Sequence, residues 1–362
     1  MENFKEALEI IKKIEDYGFK AYIVGGAVRD HLLGLESFDI DIATSMPIEL
    51  IKKHFDVLDN GSDYLSVTIK TLKNSYEITN FRRDISYKDH RHPEVILVDD
   101  FKTDTNRRDF TINALAYDKS MRLIDYHNGL VDLNDHLIRA IGNPYTRLDE
   151  DALRILRGLY LASKLNFSFE EETLKAIIDK KKLLASLSSE RIFSYFYRIA
   201  NEKYKRGIDY INTYRLFEFI PTYEKWLSVA FKGLNKSELI YSYFIKYRSL
   251  PLNLSYEKRI CKGLDNLIND NFSIYSLYKN KASYMEARKA LLLNGYDVNK
   301  YDSIIESFII KNDNELALSK KEIASYFIGK DKSMAISHII KGVLEGNISN
   351  TKEDILEAVR RF

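Results

Sequence analysis

The hydrophobic and polar positions of this 362-residue chain follow two patterns. Up to about residue 142, short apolar runs alternate with polar stretches, as in "AYIVGG", "DIDIAT", "LSVTIKTL" and "SYEITNF". These runs predict short strands, the last two forming a hairpin turned at Lys73 and Asn74. From about residue 146, apolar residues recur at helical spacing, as in "EDALRILRGLYLASKL" and "SERIFSYFYRIA". The pattern therefore predicts an α+β head followed by an all-helical body.

Two polar segments of the head lead to different predictions. The stretch "RRDISYKDHRHPE" contains a proline and has little periodicity, so we expect a mobile loop there. The stretch "NRRDFTINALAYD" returns to helical spacing, so we expect a helix.

Charge and composition limit the classes of function. The chain has 55 basic and 53 acidic residues, a net charge of +2, so any contact with nucleic acid requires a local basic face. The clusters "NEKYKRGIDY" and "SYEKRICKG" combine basic residues with tyrosine and are candidates for binding RNA phosphates and bases. Each cluster on its own is more typical of a solvated helix face.

Cysteine usage and hydropathy point to the cytoplasm. The single cysteine, Cys261, excludes an intramolecular disulfide, fits a reducing compartment and is assigned no catalytic role. The N-terminus "MENFKEALEIIKKIEDYGF" is an amphipathic helix without the apolar core of a signal peptide. No apolar run approaches the ~18 residues needed to span a bilayer. We therefore expect a cytoplasmic protein that does not enter a membrane.

Two aspartates lie in a segment that otherwise predicts a strand, "FDIDIATSMP". Residues two apart in a strand share a face, so Asp39 and Asp41 are expected side by side, with Ile40 and Ile42 on the buried face. A divalent cation offsets the repulsion of two close carboxylates, and Mg²⁺ suits such a pair when water and substrate phosphates complete its coordination. The alternative is an exposed strand edge that carries solvated acids.

Residues near this pair extend the candidate site. In "VGGAVRD", Gly25 and Gly26 stand at a strand-to-helix junction, where backbone N–H groups can approach phosphates, and Arg29 adds a positive charge one turn later. Glycines at such a junction also commonly just make a turn. Glu77 in "SYEITNF" is a third acid on a strand that can pair beside the aspartates, as a metal ligand, a general base or the cross-strand partner of a lysine.

Three motifs in order carry a family resemblance: "AYIVGGAVRDHLLGLESFDIDIAT", "NRRDFTINALAYD" and "RLDEDALRILRGLYLASKL". With them the sequence resembles the class II tRNA nucleotidyltransferases, the family of bacterial and eukaryotic CCA-adding enzymes and poly(A) polymerases. The resemblance implies a DNA polymerase β-like nucleotidyltransferase head with a mixed sheet, followed by an all-α neck, body and tail. In this chain the implied ranges are 1–142 for the head, 143–205 for the neck and 206–362 for the body and tail.

The resemblance also implies roles for individual residues. Asp39 and Asp41 would hold the catalytic metals, while Arg107, Arg108 and Asp109 would contact the triphosphate and the ribose. Two guanidinium groups suit phosphate oxygens, and a carboxylate suits a ribose hydroxyl. The earlier "RRD", at residues 82–84, lacks the "FTINA" continuation and receives no such role. The implied nucleotide-binding residues are Gly25, Gly26, Arg29, Arg107, Arg108, Asp109, Asn113, Asp151, Arg154 and Arg157, and the implied catalytic residues are Asp39, Asp41 and Glu77.

Asp151 and Arg154 are three residues apart in a segment predicted to be one helix, so they share a face. An intrahelical ion pair worth ~0.2–0.5 kcal/mol would explain this spacing without any function. The resemblance implies that the two side chains bind the base of the incoming nucleotide. Cytosine and adenine each present an amino donor beside a ring-nitrogen acceptor, which an aspartate and an arginine complement, whereas uracil and guanine present the reverse.

The segment from Phe81 to Val95 resembles the flexible loop of enzymes that add the full CCA, which argues against a CC-only enzyme. Asp89, His90 and His92 within it form an alternative metal site that the mixed charges disfavour.

The chain departs from the family at three places. Leu65 replaces a glycine, Tyr195 stands where a glutamate is common, and "GKDKSMAISHII" replaces a glycine- and proline-rich tail segment.

The predicted protein is thus a Mg²⁺-dependent enzyme that adds CMP, CMP and AMP to the tRNA 3′ end from CTP and ATP. An A-adding enzyme or a poly(A) polymerase shares the same motifs. A metal-using sugar transferase would require a run of βα units after the two aspartates, and none follows. A non-catalytic RNA-binding protein is disfavoured because Asp39, Asp41, Asp151 and Arg154 are all present. The oligomeric state is left open.

Overall fold

The structure, a computed structural model, describes residues 4–37, 39–58, 66–71, 74–87, 93–220, 234–249 and 255–362. The chain divides into two compact units, Met1–Pro221 and Thr222–Phe362. Within the described ranges no helix is both long and apolar enough to cross a membrane.

The short apolar runs form strands, most of which join one mixed sheet. The described strands are β1 (Ala21–Val24), β2 (Asp41–Thr44), β3 (Val57–Leu58), β4 (Ser66–Lys70), β5 (Ser75–Asn80), β6 (Arg82–Tyr87), β7 (Pro93–Leu97), β8 (Ala116–Tyr117), β9 (Leu123–Ile124), β10 (Leu137–Ile138) and β11 (Ser168–Phe169). The main sheet has the order β3-β4-β5-β2-β1-β8-β9. Its β2 and β5 pair in parallel, and the neighbouring pairs are antiparallel. The predicted mixed sheet is confirmed.

β-Branched residues at every second position explain the sheet. Ile23, Ile42 and Ile78 are fully buried on neighbouring strands, where branched side chains pack well on a pleated surface. The predicted hairpin is confirmed, because β4 and β5 pair antiparallel. Lys73 in its turn lies outside the described residues.

Helices surround this sheet and continue beyond it in the first unit. They are α1 (Lys5–Asp16), α2 (Gly26–Leu32), α3 (Ile48–His54), α4 (Phe101–Thr105), α5 (Gly129–Asn134), α6 (Pro144–Glu150), α7 (Leu153–Leu165), α8 (Glu171–Asp179), α9 (Ser189–Asn201) and α10 (Arg206–Thr213), with 3₁₀ turns at Thr111–Asn113 and Lys181–Ser186. The region predicted to be helical also contains β11, which pairs in parallel with β10.

The prediction of a helix over "NRRDFTINALAYD" is wrong. Within it lies only the 3₁₀ turn Thr111–Asn113, and the segment then enters β8. The Thr111 N–H donates to the Arg139 carbonyl at 2.9 Å, and Phe110 forms a β-bridge with Ala140. These bonds to residues distant in sequence satisfy backbone groups that a helix would satisfy internally.

The prediction of a mobile loop over "RRDISYKDHRHPE" is wrong where the structure describes it. Strands β6 and β7 pair antiparallel as a separate ribbon in which Arg82 lies opposite Leu97. The Arg82 N–H donates to the buried carboxylate of Asp104 at 3.1 Å, which ties the ribbon to α4. Residues 88–92 lie outside the described residues. Backbone pairing does not require apolar alternation, so the polar sequence concealed these strands.

A glycine in the middle of α7 marks its close contact with the head. A Cβ at Gly158 would lie 2.7 Å from Cε1 of Phe169 and 2.9 Å from Cζ of Phe110. Glycine inside a helix costs roughly 0.5–1 kcal/mol relative to alanine. The close approach of the two rings explains why this cost is accepted here.

Gly158→Ala is therefore expected to destabilise the protein, although alanine favours helices. Forcing the rings apart should lower the free energy of unfolding by about 1–3 kcal/mol, measured by urea denaturation. Lys175→Ala, at an exposed position of α8, is the control and should change stability by less than about 0.5 kcal/mol. Equal stability of Gly158→Ala and wild type would contradict the close packing described here.

The second unit is helical throughout its described residues, as the apolar spacing predicts. Its helices are α11 (Lys236–Tyr247), α12 (Ser255–Asn269), α13 (Ile274–Lys279), α14 (Lys281–Leu293), α15 (Val298–Glu306), α16 (Lys320–Ser325), α17 (Asp331–Leu344) and α18 (Lys352–Arg361), with a 3₁₀ turn at Asp313–Glu315. Cys261 is buried in the apolar core of this unit. Burial raises the pKa of its thiol to about 12, which makes it a poor nucleophile.

Candidate active site

A cavity of about 580 Å³ in the first unit gathers most of the predicted site residues. Eight basic and six acidic side chains of the described chain line it, which suits a polyanionic ligand that binds together with metal ions. The predicted residues among those lining it are Gly25, Gly26, Arg29, Asp39, Asp41, Arg107, Arg108, Asp109, Asn113, Asp151, Arg154 and Arg157.

The two aspartates lie at the start of β2. Strand β2 begins at Asp41, and the exposed Asp39 directly precedes it, so the predicted strand is two residues shorter than expected. Glu77 of β5 lies opposite Asp41 in the parallel register, which confirms the predicted pairing of their strands. Glu77 is exposed and does not line the cavity.

Burial and neighbouring acids change the ionisation of Asp41. Burial, then the charges of Asp39 and Glu77, raise the pKa of Asp41 to about 7, against the opposing effect of Arg108 and Arg157. A cation close to Asp41 would stabilise its ionised form, because the positive charge offsets the repulsion from the neighbouring acids and lowers the pKa.

We therefore expect Asp41→Asn to be more stable than wild type in the absence of metal. The pKa of Asp41 is higher in the folded than in the unfolded state, so the folded state binds more protons between about pH 4 and pH 7. Stability of the wild type is lost as the pH rises through this window, and asparagine avoids that loss. Urea denaturation with chelator at pH 8 should show a gain on the order of 2–4 kcal/mol.

The gain should shrink as the pH falls toward 4, and added Mg²⁺ should stabilise the wild type much more than Asp41→Asn. A difference between the two proteins that does not change with pH would contradict the raised pKa of Asp41.

Carboxylate oxygens are the ligands that Mg²⁺ prefers, and two of them leave positions for water and phosphate oxygens. Within the described residues, no group of three or more His, Cys, Asp or Glu side chains is arranged to hold a metal ion. The donor set of Asp39 and Asp41 therefore fits an ion that the substrate helps to bind. The alternative site at Asp89, His90 and His92 lies outside the described residues, as does Leu65.

At the glycine junction, Gly25 lies close to the carboxylate of Asp41 and to the guanidinium group of Arg108. Gly25 has a φ of +77°, which side chains other than glycine rarely adopt, and it caps α2. A Cβ there would lie 3.7 Å from Oδ2 of Asp41 and 3.9 Å from Nη1 of Arg108. The bare backbone of Gly25 thus lies beside both a carboxylate that would hold a metal ion and an arginine that would bind a phosphate.

Arg107 and Arg108 are held by an acid that the sequence analysis did not select. Nη2 of Arg107 lies 2.8 Å from one oxygen of Asp104, and Nη2 of Arg108 lies 3.0 Å from the other. Burial lowers the pKa of Arg108, although the negative charge of Asp104 acts to raise it. Its Nε is buried and has no hydrogen-bond partner within the described part of the chain. An anion beside this guanidinium group would offset the cost of burying it.

Arg29 takes part in a buried network that joins α2 to α7. Its Nε donates to Oδ1 of Asp30 at 2.8 Å, and its Nη1 donates to the side-chain oxygen of Asn113. Oδ2 of Asp30 accepts from Lys164 of α7 at 2.8 Å. These bonds fix Arg29 in the cavity wall, where its charge is shared with Asp30.

Asp109 continues the same network. Nδ2 of Asn113 donates to Oδ1 of Asp109 at 3.1 Å, and Nε of Arg157 lies 2.8 Å from Oδ2. Burial alone would raise the pKa of Asp109, but the charge of Arg157 and these hydrogen bonds hold it below its ordinary value. Arg157 in turn has a raised pKa, chiefly because of Asp109. The carboxylate is therefore ionised and oriented toward α7.

The prediction that Asp151 and Arg154 share one helix is wrong. Asp151 follows the end of α6 with an extended backbone, φ −146° and ψ 104°, and α7 begins at Leu153. Oδ1 of Asp151 accepts from the Leu153 N–H at 2.9 Å. Burial raises the pKa of Asp151, partly against that hydrogen bond and the charge of Arg154. The break between the helices nevertheless leaves both side chains on the cavity wall.

Arg154 is almost completely buried and strongly oriented. Its Nη1 donates to the Arg147 carbonyl at 2.7 Å and to Glu150 at 2.6 Å, and its Nη2 donates to the Arg107 carbonyl at 3.0 Å. The charge of Arg154 thus forms an ion pair with Glu150. It does not form the intrahelical pair with Asp151 that the three-residue spacing suggested. The bond to Arg107 connects α7 to the segment that follows α4.

Sequence reasoning missed several residues of the cavity. Residues Arg82 and Asp84 were set aside as part of a polar loop, yet both line the cavity. Tyr160 and Lys164 follow Arg154 and Arg157 along α7 at spacings of three and four residues. This spacing could have predicted that they share the cavity face of the helix. The other missed residues are Asp30, Ser37, Leu161, Tyr195 and Arg198.

Comparison with known proteins agrees with the predicted resemblance. Residues 21–139 match the family described as "Poly A polymerase head domain", and residues 166–227 match "Probable RNA and SrmB- binding site of polymerase A". The chain is 32% identical to the CCA-adding enzyme of Streptococcus mutans, covering 99% of this chain and 97% of that protein. It is 33% identical to the CCA-adding enzyme of Enterococcus faecalis, covering 99% and 96%.

A solved structure supports the same relationship. The crystal structure of the Bacillus stearothermophilus CCA-adding enzyme in complex with CTP has a TM-score of 0.72 and 26% sequence identity, covering 99% of this chain and 97% of that one. The order of the motifs, the mixed sheet of the head and the sequence identity over nearly the full length all indicate the same family. The chain therefore belongs to the CCA-adding enzymes, a family of metal-dependent nucleotidyltransferases.

Proposed function

We propose that the protein adds CMP, CMP and AMP to the 3′ end of tRNA, using CTP and ATP and releasing pyrophosphate. The observation that carries this proposal is the composition of one cavity. Carboxylates for metal, arginines for phosphates and an aspartate–arginine pair for a base all line it. The same substrate class implies a cytoplasmic protein, because tRNA, CTP and ATP are found there.

The metal in this proposal is Mg²⁺, held by Asp39 and Asp41. When bound, it supplies neutralisation of the triphosphate and a lowered pKa for the attacking ribose hydroxyl. Glu77 is kept as the third acid, either as a ligand or as a base, because it lies beside Asp41 in the sheet.

The residues of the chain itself bind and align the reactants. Arg107 and Arg108, both fixed by Asp104, contact oxygens of the triphosphate, with Gly25, Gly26 and Arg29 at the strand-to-helix junction. Asp109 contacts the ribose through its carboxylate, which also forms an ion pair with Arg157. The terminal ribose hydroxyl of tRNA attacks the α-phosphate in line, and catalysis depends mainly on this alignment and on charge.

Selection of the base is assigned to Asp151 and Arg154. Cytosine and adenine donate from their amino groups to Asp151 and accept from Arg154, whereas uracil and guanine would leave buried polar groups unsatisfied. The bonds that orient Arg154 toward the cavity make its position independent of which base arrives.

Three other kinds of enzyme share part of this arrangement. An A-adding enzyme or a poly(A) polymerase would use the same cavity, so the structure does not favour either of them. For a sugar transferase the sheet is unsuitable, because only β2 and β5 pair in parallel within the described main sheet.

The test is incorporation into three labelled tRNAs: one that lacks its last three nucleotides, one that ends in CC and one that ends in CCA. We expect the first to gain two nucleotides with CTP alone and three with CTP and ATP. Extension of the CC-ending tRNA alone, and only with ATP, would contradict the proposal and identify an A-adding enzyme. A long tail of A residues would identify a poly(A) polymerase.

A further inference from the structure

Three aromatic or basic residues that lie next to one another in the cavity wall are given no role in the proposed reaction: Tyr160 of α7, with Tyr195 and Arg198 of α9. The central carbon of the Arg198 guanidinium group lies 4.0 Å from the centroid of the Tyr160 ring and 5.2 Å from that of Tyr195. The two rings meet edge to face, with centroids 6.5 Å apart and planes at 81°.

The contacts of Arg198 are aromatic. In the part of the chain that the structure describes, no carboxylate forms an ion pair with it, and its side chain is exposed. A guanidinium carbon 4.0 Å from a ring centroid is in the range of a cation–π contact, which holds the planar guanidinium group beside the ring. Nucleobases stack on such planes and on tyrosine rings.

The position of these residues separates them from the base-selecting pair. Arg154, Arg157 and Tyr160 follow one another at three-residue spacing on the cavity side of α7. At ~1.5 Å per residue, Tyr160 lies about 9 Å along the helix from Arg154. A base bound at Asp151 and Arg154 would therefore leave Tyr160 and Arg198 beside a different nucleotide.

We propose that Tyr160, Tyr195 and Arg198 form a stacking platform for a base at the 3′ end of the tRNA that is being extended. This inference rests on the proposed function and adds a subsite to it. The terminal base of the tRNA changes during the reaction, from any of four bases to C and then to C again. Stacking accepts every base because each has a π-face, whereas hydrogen-bond readout would reject some of them.

The test compares Arg198→Ala, Arg198→Lys, Tyr195→Ala and Tyr195→Phe with wild type in single-nucleotide extension of tRNA. We expect the alanine variants to raise the KM for tRNA about 10-fold and to leave the KM for CTP unchanged. Tyr195→Phe keeps the ring and should retain the wild-type value. Arg198→Lys keeps the charge but loses the plane, so it should resemble Arg198→Ala. Arg191→Ala, on the same helix but outside the cavity lining, is the control and should behave as wild type.

A direct readout uses tRNA ending in 2-aminopurine, whose fluorescence falls when the base stacks, with Asp41→Asn added to every protein to prevent extension. Quenching is expected with intact Tyr195 and Arg198, and in Tyr195→Phe, but not in Arg198→Lys. If Arg198→Lys bound the tRNA and quenched its fluorescence as the wild type does, the platform would be overturned. The role of Arg198 would then be a contact between its charge and a tRNA phosphate. A raised KM for CTP alone would overturn it in favour of the incoming nucleotide. In both cases the wild type still extends tRNA, whereas no extension by the wild type would instead reject the proposed function.

Discussion

Asp41→Asn is expected to lower the rate of nucleotide addition by at least about 10³-fold while tRNA binding is retained. The change removes one carboxylate charge from the pair that we propose holds the metal. Asparagine has nearly the same shape and stays compatible with β2, so the fold is preserved. The measurement is kcat for addition of one CMP at saturating CTP and Mg²⁺, together with the Kd of tRNA from a filter-binding assay.

Asp135→Asn provides the matched control for this experiment. It makes the same chemical change at an exposed position of the head and should leave kcat within about twofold of wild type, as expected for a surface substitution. If Asp41→Asn kept a kcat close to that of Asp135→Asn, the carboxylate would not be part of the catalytic site. Loss of addition with normal tRNA binding would also reject the interpretation as a non-catalytic RNA-binding protein.

Asp151→Asn is expected to reduce discrimination between CTP and UTP on the order of 10–100-fold. A carboxylate only accepts hydrogen bonds, so it favours the amino group of cytosine over the carbonyl of uracil. An asparagine amide both donates and accepts, so it can bind either base after rotation. The measurement is the ratio of kcat/KM for CTP and UTP in addition of a single nucleotide.

The control for base selection is Asp149→Asn, two residues earlier. Asp149 lies outside the cavity lining and forms an ion pair with Lys180 at 2.7 Å. It should leave the CTP to UTP ratio unchanged. An unchanged ratio in Asp151→Asn as well would remove Asp151 from base selection and leave Arg154 or the tRNA itself as the source of specificity.

The elements that sequence predicted well are those with local causes. Period-two alternation of isoleucines predicted the strands of the head, and helical spacing predicted the helices of the second unit. The neighbouring positions of Asp41 and Glu77 followed from strand alternation combined with pairing of their strands. In each case the signal lies within a few residues of the feature that it predicts.

The sequence could not show two kinds of contact: those between residues distant in sequence, and local side-chain hydrogen bonds that compete with a helix. Asp109 and Arg157 are 48 positions apart in the numbering, and only the packing of α7 against the head makes them an ion pair. The helix expected around Thr111 is replaced by a bond to Arg139. The helix expected through Asp151 is interrupted because its side chain bonds to the Leu153 N–H, a competition with helical bonding that short polar side chains often win.

The most direct test of untemplated selection by one site is sequencing of the 3′ ends made from a tRNA that lacks its last three nucleotides. The purified protein is incubated with this tRNA, Mg²⁺ and all four nucleoside triphosphates at equal concentrations. The predicted result is ends that read mainly CCA and lack U and G, because the proposed base-selecting pair, Asp151 and Arg154, would accept cytosine and adenine and reject uracil and guanine. Ends that contain U or G at frequencies comparable to C and A, or that carry A alone, would contradict it.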